Sequence, residues 1–223
     1  MGPELEKQSE LGDTKIIFGN IRGLAPRTFD SKVKIIEDMA EINKAEIICL
    51  VESHLNCDIF DNEIKMDRFS IHRADRSDRS HGGVIMYVDN KYNSISVTQT
   101  SNSQCELIGV LIKELKSLIF TVYRPPMSGN KDIFEETLET ISDTINKYGS
   151  EVDKITVCGD FNFGFIDWDT VSFHGKGIST NKEKIQASSL LDFMDIHSLR
   201  NVIDESTRKD GILDLMLVNG QCS

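Results

Sequence analysis

The chain alternates short apolar runs of strand length with segments in which apolar residues recur every three or four positions. Residues 15–20 and 46–51 are the first two runs, and the segment between them has helical spacing. A strand, a helix and a strand in this order predict a right-handed crossover. That connection would bring Asn20 and Glu52 to the same edge of a sheet, although a glutamate after a buried strand is also a common solvated loop residue.

Between Phe69 and Tyr123 the apolar runs become shorter, and the segments that join them are short and polar. Such connections predict hairpins, and therefore antiparallel strands rather than further crossovers. The last of these strands ends near Tyr123 and Arg124, because Pro125 and Pro126 cannot continue a ladder of hydrogen bonds. Tyr123 is then either a half-buried strand aromatic or a functional side chain near the carboxyl end of a strand.

The clearest helical periodicity covers residues 131–148 and leads directly into a β-branched strand at residues 154–158. The run Gly159-Asp160-Phe161-Asn162 follows, and its glycine predicts a tight turn because glycine tolerates backbone torsions that other residues resist. A carboxylate and an amide would then stand at the carboxyl end of a buried strand, where an open sheet presents its chemistry. An aspartate in an ordinary surface turn is the alternative.

Two further elements are predicted in the last fifth of the chain. Thr180 and Glu183 form a capping-box pattern that predicts the start of a helix. Residues 211–219 are β-like and embed Asp214 among apolar residues. Because burial of a lone carboxylate is costly, we expect Asp214 to have a partner.

The 223 residues suit one domain of mixed α and β structure, with residues 1–13 as a flexible acidic tail and residues 14–223 as the folded part. The five cysteines are odd in number and form no Cys-x-x-Cys pair, so neither a disulfide framework nor a zinc knuckle is predicted. No apolar run is long enough to cross a bilayer, and no signal peptide or myristoylation site begins the sequence. These features predict a soluble intracellular protein with no membrane and no disulfide partner.

The net charge of −11, from 25 basic and 36 acidic residues, argues against a general electrostatic grip on nucleic acid. Four arginines nonetheless gather in one short segment: Arg68, Arg73, Arg76 and Arg79. Because aspartates are interspersed among them, the segment is either a solvated loop or a local phosphate-binding patch.

Five separated features occur in the order seen in the endonuclease/exonuclease/phosphatase superfamily, which the chain resembles over roughly residues 15–219. They are Asn20 in Gly-Asn-Ile-Arg-Gly-Leu, Glu52 in Val-Glu-Ser-His-Leu, Tyr123 in Tyr-Arg-Pro-Pro, the run Gly159-Asp160-Phe161-Asn162, and Asp214 in Ile-Leu-Asp-Leu-Met-Leu-Val-Asn. The superfamily includes apurinic/apyrimidinic endonucleases and pancreatic-type deoxyribonucleases.

Further stretches make the chain similar to the endonuclease domain of LINE-type (non-LTR) retrotransposons: residues 72–76 with 82–84, residues 165–168 and residues 205–208. The resemblance implies an α/β fold, a four-layer sandwich of two mixed β-sheets flanked by helices. It also implies cleavage of a phosphodiester in DNA that depends on Mg²⁺, with Mn²⁺ as the alternative ion.

The resemblance implies roles for the matched residues as well. Glu52 would ligate Mg²⁺ with the support of Asn20, because a hard divalent ion prefers oxygen ligands. Asp160 would position or deprotonate the attacking water, and Asn162 would hydrogen-bond water or phosphate. Tyr123 would donate to the phosphate oxygens in the transition state.

The remaining predicted site residues follow from the same resemblance. Asn20, Arg124 and Thr207 would contact the substrate, and in the family the residue matched by Asp214 orients a histidine. That histidine belongs to a Ser-Asp-His motif on a further strand, and no Ser-Asp-His occurs in this sequence. We expect none of the five histidines to replace it: His54, His72, His81, His174 and His197.

Without that motif, we expect a domain that is incomplete at its C-terminus and lacks its last strand or strands. An exposed sheet edge would follow and would invite pairing with another chain. Three functions stay open: a metal-dependent DNA endonuclease, either active or with weak or lost activity; a non-catalytic remnant of the fold that binds nucleic acid or metal; and a phosphatase or phosphodiesterase for small substrates.

Overall fold

The computed structural model describes residues 8–11, 14–24, 32–76, 81–102, 105–126, 131–168, 170–173, 181–207 and 211–220. In chain order the elements of these ranges are β1 (Gln8–Leu11), β2 (Thr14–Asn20), α1 (Lys32–Asn43), β3 (Ile47–Val51), β4 (Phe69–Ala74), β5 (Val84–Asp89), β6 (Ser94–Asn102), β7 (Cys105–Ile112), β8 (Ser117–Tyr123), α2 (Lys131–Tyr148), β9 (Lys154–Asp160), β10 (Ile166–Asp167), β11 (Ser172–Phe173), α3 (Asn181–Ile196), β12 (Leu199–Asn201) and β13 (Asp214–Asn219). Single 3₁₀ turns occur at Asp61–Glu63 and Gly149–Glu151.

The strands form two large mixed sheets and one small hairpin. The first sheet has the order β1-β2-β3-β5-β4 and the second has the order β12-β13-β9-β8-β7-β6, while β10 pairs only with β11. The pairs β2/β3 and β8/β9 are parallel, and a helix lies between the two strands of each pair along the chain. The other pairs in both large sheets are antiparallel, and β4/β5, β6/β7 and β7/β8 are the predicted hairpins. The predicted run of consecutive hairpins is wrong at one step, because β5 and β6 belong to different sheets and the connection between them crosses from one sheet to the other.

Three apolar clusters show how the layers stack. One cluster joins residues of both large sheets, for example Phe18 and Val51 with Ile119 and Met216, and it fills the space between them. A second joins the outer face of the first sheet to α1, and a third joins the outer face of the second sheet to α2 and α3. The predicted four-layer α/β sandwich is therefore confirmed, with helices outside and two mixed sheets inside.

The structure differs from the sequence-based expectation at two places. Gln8–Leu11, inside the segment predicted as a flexible tail, pair antiparallel with β2. Gly159 does not begin a turn, because β9 continues through Asp160. Glycine is required there for space: a Cβ on Gly159 would lie 2.2 Å from the carbonyl oxygen of Val122 in β8. The turn comes later, at Asn162, whose φ is +53°.

Several sequence features fall outside the described residues, among them Thr180 of the predicted capping box, Arg79 and Arg208. Among the helices that are described, none is both long enough and apolar enough to span a membrane. Association through an exposed sheet edge stays a prediction.

Candidate active site

Four of the predicted site residues stand where strands of the two large sheets end. Asn20 is the last residue of β2, and Glu52 directly follows its parallel neighbour β3. Tyr123 and Asp160 are the last residues of β8 and β9, and they are register partners in the second sheet. Each sheet thus contributes two side chains, and the four meet where the two sheets face each other.

The amide of Asn20 joins the two carboxylates of this cluster. Its Nδ2 donates to Glu52 Oε1 at 2.7 Å and to Asp160 Oδ2 at 3.1 Å. Its Oδ1 accepts from the backbone N–H of Arg22 at 3.3 Å. Because only an NH₂ group can donate to two carboxylates, these contacts fix the orientation of the amide. Asn20 therefore holds Glu52 and Asp160 close together in spite of their like charges.

Glu52 is ionised by its surroundings. Burial by itself would raise the pKa of Glu52, but the nearby His54 ring and hydrogen bonds from Asn20 and Tyr123 outweigh burial and lower that pKa to about 2. The Tyr123 hydroxyl donates to Glu52 Oε1 at 3.2 Å, and His54 Nε2 lies 3.6 Å from Glu52 Oε2. Burial, followed by the charges of Glu52 and Asp160, raises the pKa of Tyr123, so its phenol keeps the proton that it donates.

The loop that carries Glu52 has an unusual backbone. Glu52 and His54 have φ values of +53° and +54°, in the left-handed region that non-glycine residues rarely adopt. The N–H groups of Ser53 and His54 donate to the carbonyls of Gly83 and Gly82, at 3.1 and 2.8 Å. Such conformations persist only where the surroundings enforce them, and they concentrate at functional sites.

Asp214 and Thr207 adjoin the cluster from the second sheet. Asp214 is the first residue of β13 and is the register partner of Asp160. The Thr207 hydroxyl accepts from the backbone N–H groups of Leu213 and Asp214, at 2.9 and 3.1 Å. Thr207 therefore fixes the start of the strand that brings Asp214 beside Asp160.

Comparisons with known proteins identify the fold that carries this cluster. A family model described as endonuclease-reverse transcriptase matches residues 117–223. The endonuclease domain of TRAS1, a telomere-specific non-LTR retrotransposon, superposes with a TM-score of 0.57 at 15% identity, over 92% of this chain and 85% of that one. The chain has the endonuclease/exonuclease/phosphatase fold.

Other structures of the endonuclease/exonuclease/phosphatase fold superpose equally well. The AP endonuclease LMAP from Leishmania major gives a TM-score of 0.60 at 16% identity, covering 92% of this chain and 79% of that one. The 3'-5' exonuclease NExo from Neisseria meningitidis gives 0.58 at 16% identity, covering 92% and 86%. A search of curated proteins by sequence gave no match. The resemblance found in the motifs is confirmed at the level of the fold.

Arg124 directly follows β8 as predicted, but its side chain is not available to a substrate. Its side chain is fully buried: Nη1 donates to the Phe161 carbonyl at 3.0 Å, Nη2 donates to Gln186 Oε1 at 2.7 Å, and the guanidinium lies 4.1 Å from the ring centroid of Phe163. Successive strand residues point to opposite faces, so Tyr123 faces the cluster and Arg124 faces the helices. A substrate cannot reach Arg124, and its prediction as a substrate-binding residue is wrong. It supports the turn after Asp160 instead.

Asn162 is held by the same turn. Its Nδ2 donates to the Arg124 carbonyl at 2.8 Å, and its backbone N–H donates to Asp160 Oδ1 at 3.2 Å. The side-chain amide is therefore fixed next to Asp160, with its oxygen directed away from the Arg124 carbonyl. Its contact with water or phosphate stays a prediction.

Sequence reasoning missed His54, which belongs to the environment of Glu52. Besides its contact with Glu52, its ring meets the ring of His81 edge-on, with 4.8 Å between centroids. A surface position was expected for both histidines. The spacing of a histidine two residues after a glutamate was the available signal, but the left-handed backbone of Glu52 and His54 is not visible in the sequence.

The donor atoms of the cluster suit a hard divalent cation. Within the described ranges no group of three or more His, Cys, Asp or Glu side chains is arranged to hold a metal. Mg²⁺ does not need such a cage, because it usually binds through one or two carboxylates, substrate phosphates and waters. The ionised carboxylate of Glu52, with that of Asp160 beside it, fits this pattern. Asn20 fits as a support of Glu52, since its NH₂ group faces both carboxylates.

Proposed function

We propose that the protein is a divalent-metal-dependent phosphodiester hydrolase that nicks DNA, an endonuclease of the retrotransposon type. The observation that carries this proposal is the cluster of Asn20, Glu52, Tyr123 and Asp160, joined by hydrogen bonds across two sheets. The match to the endonuclease-reverse transcriptase family and the likeness to the TRAS1 domain support the retrotransposon type.

Glu52 would hold Mg²⁺ or Mn²⁺, since its pKa of about 2 keeps the carboxylate ionised at neutral pH. The bound ion would supply charge neutralisation at the scissile phosphate and at the leaving oxygen. Asn20 would set the direction of the Glu52 carboxylate by donating to its Oε1. Asn20 would therefore act on the ion through Glu52.

Asp160 and Tyr123 would handle the proton and the charge of the phosphate. Asp160 is 3% exposed and is fixed by Asn20 and by the N–H of Asn162, so it would orient the attacking water and accept its proton. The protonated phenol of Tyr123 would exchange its bond to Glu52 for one to a phosphate oxygen. Asp214, opposite Asp160, would support the position of that carboxylate.

A plasmid-nicking assay in Mg²⁺ tests the proposal. Glu52→Ala and Asp160→Asn should each lower the nicking rate by about 100-fold or more, because each removes a group of the reacting centre. Glu41→Ala, which removes an exposed glutamate of α1, is the matched control and should not change the rate. Mn²⁺ binding, measured by electron paramagnetic resonance, should weaken in Glu52→Ala and stay the same in the control.

The possible outcomes separate the three functions. Nicking that survives both site substitutions would refute the assignment of the site. Mn²⁺ or DNA binding without any nicking would favour a non-catalytic remnant of the fold. Cleavage confined to small phosphate esters would favour a phosphatase.

A further inference from the structure

The arginine-rich segment before β5 contains one arginine that is buried, unlike its described neighbours. Arg68 pairs with Asp89, and Arg73 pairs with Asp75 and Asp61 on the outer side of the first sheet. Arg76 is 6% exposed, and its Nε donates to the carboxylate of Glu106, which is completely buried. Because Arg76 is buried in an ion pair, it fits neither interpretation of the arginine-rich segment, a solvated loop or a phosphate-binding patch.

The ion pair joins the two sheets beside the candidate active site. Arg76 follows β4 of the first sheet, and Glu106 belongs to β7 of the second. Glu106 is the register partner of Tyr123, and the Arg76 guanidinium lies 6.0 Å from the centroid of the Tyr123 ring. Arg76 therefore lies over the face of the aromatic ring whose hydroxyl donates to Glu52, within cation–π distance.

The same guanidinium supports the loop that carries Glu52. A Cβ on Gly82 would lie 2.7 Å from Arg76 Cζ, so the Gly82 backbone runs against the guanidinium. The carbonyls of Gly82 and Gly83 accept from the N–H groups of His54 and Ser53. Arg76 thus lies near the ring of Tyr123 and against the backbone that holds the left-handed loop at residues 52–54.

We propose that Arg76, held by Glu106, is a positioning residue that sets Tyr123 and the loop of Glu52 in place across the gap between the sheets. A role in stability alone explains the pair poorly, because removing two charges from water is expensive and well-packed apolar residues usually stabilise a core as well or better. The expected effect of Arg76 on catalysis rests on the proposed function. The effect on the loop is independent of it.

The test uses the double variant Arg76→Met/Glu106→Leu, which replaces the ion pair with apolar side chains and leaves no buried charge unpaired. We expect a thermal midpoint close to that of the wild type. Hydrogen exchange of the Ser53 and His54 amides, followed by NMR, should become at least about 10-fold faster because their acceptors lose support. The Asp89 amide, which donates to Glu46 at the other end of β5, is the internal control and should not change.

Nicking kinetics provide the second measurement. In the double variant kcat should fall by about 10-fold or more while KM for DNA changes by less than about 3-fold, since the loss concerns alignment of Glu52 and Tyr123. Arg68→Met breaks an ion pair at the far end of β4 and should leave both constants unchanged. Glu106→Gln keeps the shape and an acceptor oxygen, and it should shift exchange and kcat in the same direction by less.

Two results would overturn the proposal. The first is a folded double variant in which the hydrogen-exchange rates of the Ser53 and His54 amides equal those of the wild type. The second applies if the double variant does not fold, and it is a Glu106→Gln variant in which these two exchange rates are unchanged. A wild-type protein that fails to nick DNA would refute the proposed function instead, and the exchange rates would still decide the role of Arg76.

Discussion

The two halves of the candidate site are built in different ways. In the second sheet, Tyr123 and Asp160 are the last residues of two paired parallel strands, and strand register places them side by side. In the first sheet, Glu52 and His54 lie beyond the end of β3 in left-handed conformations, and their loop is held by hydrogen bonds that its N–H groups donate to the carbonyls of distant glycines. A functional side chain can thus be placed either by a regular strand or by a loop whose conformation is held by contacts with a distant segment of the chain.

The largest expected effect comes from disrupting the pairing of β8 and β9, which places Tyr123 and Asp160 side by side. Gly159→Ala would place a Cβ 2.2 Å from the Val122 carbonyl oxygen, and the two central strands would have to separate. We expect a loss of more than about 3 kcal/mol in the free energy of unfolding, measured in urea. Gly149→Ala is the matched control, because nothing lies within 4 Å of the new methyl group, and it should be neutral or slightly stabilising. Equal stability of the two variants would contradict the close approach of β8 and β9.

Arg124→Met tests the outer side of the same strand end. The substitution leaves the Phe161 carbonyl and Gln186 without their buried donor, which should cost about 2–3 kcal/mol of stability. Burial disfavours the charged guanidinium and lowers the pKa of Arg124 to about 10. Removal of this buried charge should therefore offset part of the stability that is lost with the two hydrogen bonds. The salt dependence of DNA binding should stay unchanged, because a buried guanidinium neutralises no phosphate. A smaller salt dependence would restore Arg124 as a substrate-binding residue.

Tyr123→Phe removes one of the hydrogen bonds that join the two halves. Loss of the hydroxyl that donates to Glu52 should lower kcat by about 10- to 100-fold and change stability by only about 1 kcal/mol. Tyr87→Phe removes the same atom from a buried tyrosine that donates to the Ile64 carbonyl, and nicking should not respond to it. If both variants lose activity equally, the effect arises from packing and not from the site.

The smallest expected effect is the pH dependence of stability that arises from Glu52, and it tests whether the loop of the first sheet stabilises this carboxylate. The pKa of Glu52 is about 2, below its ordinary 4.5, so its ionised form contributes stability above pH 4.5, and this contribution is lost as the pH falls from 4.5 to 2. After allowance for solvent screening the contribution is about 1–2 kcal/mol. The stability difference between the wild type and Glu52→Gln should therefore shrink across that range in urea titrations. A constant difference would mean that the loop does not stabilise the carboxylate.

The sequence predicted the half built on register better than the half built on a loop. Alternating apolar runs and helical spacing were enough to locate β8, α2 and β9, and hence the neighbouring ends at Tyr123 and Asp160. Glu52 was found as the residue after a strand, but its left-handed backbone, its contact with His54 and its support from Gly82 and Gly83 depend on contacts between distant loops. No local propensity encodes such contacts.

The errors have equally physical causes. Arg124 was predicted to bind substrate because it adjoins Tyr123, yet the alternation of a strand turns neighbouring side chains to opposite faces. Gly159 was expected to supply a turn, but its missing Cβ serves the packing of β8 against β9. The strand β12 was missed because three residues give too short a pattern to recognise.

The hydrogen bond between Asn20 and Asp160 joins residues that are 140 positions apart. Closure of so long a loop is entropically expensive, and non-local contacts of this kind slow folding. Neither sheet alone contains the complete cluster. In a chain that had formed only one sheet, Glu52 and Asp160 would therefore not yet be close to each other. Catalytic competence should therefore appear in the last kinetic phase of refolding, after most secondary structure has formed.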